Sequence, residues 1–320
     1  MHHFVTGVAG FIGSHLADRL LEGGDRVSGV DDLSLGRSKH LDHARISPRF
    51  YFVERDVSRP ERAIESLHAA LEWGGLPDII WHLAANSDIP AGTANASIDF
   101  RRTLQTTFAI LEAAKSEGVK KIAFASTSAV YGERADLLTE NSGPLLPISN
   151  YGATKLASEA LLSAAAELFL ERLWIFRFPN VVGLRPTHGA ILDFIRRLAS
   201  RPASLTVLGD GSQTKPYLHV SELIAAMMFI VAHATDRRNV FNIGPNGAGT
   251  SVAFVAKQVV ARTLPGTPIA YTGGDRGWVG DVPRFRYSTE RLARLGWQPL
   301  LSSDEAVIRA IDEIVSSCSR

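Results

Sequence analysis

A strand-to-helix turn built on three glycines opens the chain. Thr6-Gly7-Val8-Ala9-Gly10-Phe11-Ile12-Gly13 follows a short apolar segment at the N-terminus. Glycine lets the backbone turn tightly, leaves helix-start amides free for phosphate oxygens and allows the helix to pack close to the strand. The pattern predicts a helix through Leu16 to Leu21, a stop at Gly23-Gly24, and a second strand over Arg26-Val27-Ser28-Gly29-Val30 that ends at Asp31-Asp32. An acid about 20 residues beyond the glycines is placed for the ribose hydroxyls of a dinucleotide. Gly7, Gly10, Phe11, Ile12, Gly13, Asp31 and Asp32 are therefore candidate cofactor residues, and Asp31 would repel a 2′-phosphate, which favours NAD over NADP.

The same order of elements recurs. Ile79-Ile80-Trp81-His82-Leu83 reads as a strand, Phe100 to Ser116 as a helix and Ile122-Ala123-Phe124-Ala125 as the next strand; Tyr151 to Phe169 is a long helix before the strand Leu173 to Phe178. Strands alternating with helices predict an α/β doubly wound parallel sheet. Beyond Pro179 glycine and proline recur, as expected of a smaller C-terminal lobe of loops and short elements.

Composition narrows the partners. The 320 residues are 45% hydrophobic and 21% charged with a formal net charge of +1, which gives no reason to expect nucleic acid or an acidic membrane. One cysteine, Cys318, excludes an internal disulfide and suggests a reducing, cytoplasmic setting, and no apolar run reaches spanning length. Two motifs are set aside. Gly244-Pro245-Asn246-Gly247-Ala248-Gly249-Thr250-Ser251 resembles a phosphate loop but has Thr250 where the lysine belongs, and is expected to be a turn after a strand over Val240 to Ile243. His40 and His43, among ten histidines, lack the cysteines or clustered acids of a ligand set, so no metal is expected.

Tyr151-Gly152-Ala153-Thr154-Lys155 puts a phenol and an ammonium on one face of a helix. A nearby ammonium favours phenolate, so Lys155 is expected to bring Tyr151 toward neutrality as a general base. Upstream, Ser126, Thr127 and Ser128 follow a strand at the carboxyl edge of the sheet, where open α/β folds bind ligands.

These segments, with Asp31-Asp32-Leu33-Ser34, His82-Leu83-Ala84-Ala85-Asn86, Ser126 to Gly132 and Phe178 to Gly183, resemble the extended short-chain dehydrogenase/reductases. The resemblance spans essentially the whole chain. Gly183 to Gly189, Leu208 to Gln213, Gly273 to Trp278 and Gly280 to Pro283 are similar to the UDP-glucose 4-epimerase branch of that family, archaeal-type members especially. It implies a Rossmann unit over residues 1–182 that also takes back about 218–245, a nucleotide-sugar lobe over 183–320, and a homodimer paired through the helices around Leu104 to Ala114 and Leu156 to Leu170. It also implies Tyr151 as base for the sugar 4-hydroxyl, Lys155 as its partner and nicotinamide-ribose ligand, and Thr127 on the same oxygen. Asp56, Val57, Leu83, Ala84, Ala85 and Asn86 would line the NAD site, and Ser126, Asn180, His188, Lys215 and Arg276 would face the substrate.

The reaction so implied is NAD-dependent 4-epimerisation through a transient 4-keto sugar. Relatives that eliminate water carry Asp-Glu after the threonine and decarboxylating relatives keep the glutamate; Ser128 and Ala129 can supply neither acid nor base. Thr103 stands where the family has asparagine and Pro90 where close relatives have arginine, both expected beside the sugar or nicotinamide, and Lys215 replaces an arginine. Phe285 falls near the position that limits bulk at the sugar 2-substituent. The alternatives are a sugar-nucleotide dehydrogenase or other 4-keto-forming enzyme, and a non-catalytic NAD-sensing protein.

Overall fold

The computed structural model describes residues 1–134, 136–245, 247, 249–274 and 286–318. Seven parallel strands form its central sheet: β1 (His2–Thr6), β2 (Arg26–Asp31), β3 (Phe50–Glu54), β4 (Ile79–His82), β5 (Lys121–Ala125), β6 (Arg172–Arg177) and β7 (Arg238–Asn242), in the spatial order 3-2-1-4-5-6-7. The chain starts in the middle and winds outward both ways, so the order reverses between β1 and β4. A crevice opens there beyond the carboxyl ends of the strands.

Both faces are covered, which is why β1, β4, β5 and β6 are almost wholly buried. On one face α1 (Phe11–Glu22) packs Leu16, Ala17 and Leu20 with Trp81, Trp174 and Phe176 of the sheet. On the other lie α2 (Pro60–Gly74), α3 (Thr106–Glu117) and α4 (Asn150–Leu168), whose Leu67, Ile110 and Leu162 meet Phe4, Ile80 and Phe124. Strand β3 and α2 were not read as elements from the sequence, although Phe50-Tyr51-Phe52-Val53 is an unbroken apolar and aromatic run; at the sheet edge every residue of β3 keeps some exposure or is exposed.

After β6, α5 (Ala190–Ala199), α6 (Val220–His233), α7 (Val252–Thr263) and α8 (Ser303–Cys318) follow. Helix α6 returns to the first core through Leu223, Ile224, Met227 and Ile230. The other three enclose a separate core of Phe194, Leu198, Val255, Val259, Val307 and Ile311, so the C-terminal part is more helical than the expected loops and short elements. The phosphate-loop lookalike ends in the short strand Thr250–Ser251, antiparallel to Thr214–Lys215, and Ser251 caps α7 by accepting from Phe254 N at 3.1 Å. His40 Nδ1 donates to the Ala9 carbonyl at 3.0 Å, and burial pushes the ring down to about 4. Among the described residues no group of acids, histidines and cysteines could hold a metal, and no helix is long and apolar enough to cross a membrane.

Candidate active site

The glycine turn has the geometry its composition implies. Gly7 has φ +70°, and a Cβ on Gly13 would lie 2.1 Å from the Gly7 carbonyl oxygen. No side chain caps the start of α1 at Gly10, which leaves the first-turn amides open toward the cleft. Asp31, at the end of β2, accepts from Ala9 N at 2.9 Å and Leu33 N at 2.8 Å, so it braces this turn as well as bordering the cleft. Burial raises it to about 6 against those backbone bonds. Asp32 is exposed and accepts from the Ser34 amide and hydroxyl.

The strand β4 end is held by a histidine. Thr6 Oγ1 accepts from the amides of Leu83 and Ala84, both at 3.1 Å, and meets His82 Nδ1 at 2.9 Å. Its hydroxyl proton therefore goes to Nδ1, and His82 Nε2 donates to Thr107 Oγ1 at 3.0 Å. Burial pushes His82 down to about 3, so it is a neutral tie rather than a proton carrier. Asn86 is also committed internally: its amide donates to Asp88 O and Asp99 Oδ1, and its backbone amide donates to Thr103 Oγ1 at 3.1 Å. Thr103 thus supports the loop from behind, while Pro90 lines the cleft.

Across the crevice, Ser149 caps α4 by accepting from Gly152 N at 3.1 Å. A Cβ on Gly152 would lie 2.7 Å from the Ala129 carbonyl, so glycine lets this helix approach the turn after β5. Thr127 Oγ1 accepts from Ala129 N at 3.1 Å, which leaves its proton for the Tyr151 oxygen. Lys155 is buried; its Nζ donates to the Ala125 carbonyl at 2.6 Å and stands 4.7 Å from the centre of the Phe124 ring.

The electrostatics correct one expectation. Burial pushes Tyr151 up to about 12, the Thr127 hydrogen bond works against it, and Asp99 adds to the rise. Lys155, turned toward Ala125, does not bring the phenol toward neutrality. Burial lowers Lys155 itself to about 7, with Glu159 and Asp99 acting to keep its charge.

One cleft of 680 Å³ brings nearly all the candidate residues together. Gly7, Gly10, Phe11, Ile12, Gly13, Asp31, Asp32, Asp56, Val57 and Leu83 to Asn86 line one part; Ser126, Thr127, Tyr151, Lys155, Asn180, His188 and Lys215 line the rest. Arg276 and Phe285 lie outside the described residues. Ser126 is 1% exposed and its hydroxyl donates to Glu159 Oε1 at 2.5 Å, so its proton serves the scaffold.

Sequence reading missed three residues. Glu159 takes Arg177 Nε at 3.0 Å and Nη2 at 2.6 Å in a buried ion pair under the Tyr151–Lys155 turn. Its spacing, four residues after Lys155 on the same helix face, was the available signal. Gln213 lines the cleft, is 2% exposed, and has neither amide atom hydrogen-bonded. Its place at the end of the family-like segment Leu208 to Gln213 was the available signal.

A family model described as NAD dependent epimerase/dehydratase family matches residues 3–244. The chain belongs to this family. It is 30% identical to the UDP-glucose 4-epimerase of Mycolicibacterium smegmatis over 318 residues, 98% of each chain. Among solved structures it is similar to a UDP-galactose 4-epimerase at 32% identity, with a TM-score of 0.85 over 99% of both chains. It is likewise similar to the UDP-glucose 4-epimerase of Thermotoga maritima in complex with UDP-glucose, at 28% identity and a TM-score of 0.86, over 99% of this chain and 100% of that one. The glycine turn and the uncapped helix start fit the family's NAD: the first-turn amides are left without a side-chain cap, and a side chain at Gly13 would collide with the turn backbone at Gly7 and Val8.

Proposed function

We propose that this enzyme interconverts the 4-epimers of a nucleotide sugar of the UDP-glucose/UDP-galactose type, with NAD as resident cofactor. The observation that carries the reading is the meeting of Thr127, Tyr151 and Lys155 in the cleft of the glycine turn, with Ser128 and Ala129 beside them. The family includes dehydratases, whose elimination needs an acid and a base where this chain has a hydroxyl and a methyl.

NAD, when bound, supplies the hydride acceptor for C4 and a positively charged ring in the same cleft. Gly7, Gly10, Gly13 and the first-turn amides would hold its pyrophosphate and Asp31 its adenosine ribose, while Asp56, Val57 and Leu83 to Asn86 would line the rest of its site. Tyr151 removes the 4-hydroxyl proton as C4 is oxidised and returns it when the opposite epimer forms. Thr127 hydrogen-bonds the same oxygen, and Lys155 holds positive charge and the nicotinamide ribose. Asn180, at the edge of the NAD unit over residues 1–182 and about 218–245, and His188 and Lys215, in the lobe over 183–320, would face the nucleotide diphosphate and sugar.

We also infer a homodimer and a cytoplasmic setting. Phe100 just before α3, Phe108 on α3, and Leu161 and Leu168 on α4 are exposed large apolar residues on adjacent elements. Light scattering should give a mass near twice the 34.7 kDa chain. For the reaction, UDP-glucose is incubated with enzyme and the epimers are resolved. UDP-galactose should form without added reductant, and accumulation of NADH in proportion to product would replace the epimerase with a dehydrogenase.

A further inference from the structure

Asp99 is a carboxylate with no exposed surface, set one short turn before the segment that leads into α3. Its Oδ1 accepts from Asn86 Nδ2 at 2.8 Å, whereas Oδ2 has no hydrogen-bond partner. Gly92 packs directly on Oδ2: a Cβ there would come within 1.9 Å of it. The Gly92 carbonyl in turn accepts from Asn150 Nδ2 at 3.0 Å, and Asn150 is the first residue of α4, next to Tyr151. A buried, half-satisfied carboxylate is costly, and neither core packing nor capping requires one here.

We propose that Asp99 is a positioning residue of this active site, tying the cleft-lining loop at Asn86 to the start of the Tyr151 helix and setting a negative charge against the Tyr151–Lys155 pair. The proposal rests on the roles assigned to Tyr151 and Lys155 above. Asp99 raises both groups, holding Lys155 charged and Tyr151 protonated. The other groups facing them are Thr127 on Tyr151, and Glu159, the Ala125 carbonyl, the Phe124 ring and neutral His82 around Lys155. Asp99 itself faces Asn86, Asp88 and Lys155. One carboxylate thereby acts on both groups in the same direction, so its removal lowers both.

Asp99→Asn keeps an acceptor for Asn86 and removes the charge. With UDP-glucose, both limbs of its kcat–pH profile should move to lower pH by about one unit. Asn150→Ser, which cuts the tie and leaves the charge, should lower kcat several-fold with both limbs in place. A second readout needs no substrate: the tyrosinate absorbance of the NAD-loaded protein, minus that of its Tyr151→Phe counterpart, follows Tyr151 alone. Its midpoint should fall in Asp99→Asn. If Asp99→Asn does not fold, Asp99→Ser removes the charge with less buried polar bulk and should show the same shift. Limbs and tyrosinate midpoint at wild-type values in the folded variant would overturn the proposal. A shifted midpoint in a protein without epimerase activity would instead overturn the epimerase reading and leave Asp99 in its place.

Discussion

The Lys155 Nζ donates to the Ala125 carbonyl at 2.6 Å, so the lysine of α4 is anchored to the end of the strand that precedes Thr127. A cation in this position joins helix α4 to the sheet edge and keeps the phenol one helical turn away over the hydroxyls that follow β5. Lys155→Ala should therefore lose epimerisation and part of its cofactor affinity, because charge and anchor go together. Isothermal titration with NAD separates that second loss from the catalytic one.

Tyr151→Phe removes the proton acceptor and retains the ring. Epimerisation should fall by about 10³-fold while NAD remains bound, and Thr127→Val should cost less, about 10²-fold, since it removes only a hydrogen bond to the reacting oxygen. Turnover assays with the NAD content measured after denaturation would distinguish the two. Equal losses would show that Thr127, not Tyr151, handles the proton.

Asp31 gives a pH dependence with a definite sign. Its folded value is raised from 3.8 to about 6, so the folded chain keeps a proton that the unfolded chain has lost between those values. From this group, stability falls as pH rises from about 4 to about 6. NAD binding runs the other way, because ribose hydroxyls need the carboxylate: affinity should weaken as pH falls through about 6. Asp31→Asn should weaken binding at pH 7 and flatten this dependence in the same titration.

Glu159→Gln tests the ion pair under the site. Both partners are 7% exposed, and removing one charge leaves the Arg177 guanidinium buried and uncompensated. A loss of about 3–5 kcal/mol is expected in urea unfolding. A loss within about 0.5 kcal/mol would mean that water or rearrangement relieves Arg177.

Gln213 lines the cleft and carries a buried amide with both polar atoms unpaired. Gln213→Leu should raise KM for the nucleotide sugar several-fold and leave kcat close to wild type, as expected for binding shared by ground and transition states. A fall in kcat with unchanged KM would place Gln213 at the reacting carbon instead.

Local pattern alone was enough for the glycine turn, the acid ending β2, the alternation of strands and helices and the Tyr151–Lys155 spacing. Each depends on neighbours a few residues apart: a tight turn, a strand end or one helical turn imposes the residue type directly. Strand β3 and the helices of the C-terminal core were not read from the sequence, although Phe50 to Val53 is an apolar run and Ile191, Phe194 and Leu198 fall on one face of α5; what those faces meet is supplied by distant segments. Tertiary structure alone decided where charge and hydrogen bonds go. Whether Lys155 meets Tyr151 or Ala125, whether Ser126 faces a ligand or Glu159, and why Asn86 is held by Asp99 depend on contacts between separate elements. Desolvation by the assembled core then outweighs the local charge spacing, and leaves Tyr151 high and Lys155 low where sequence spacing had pointed to a lowered phenol.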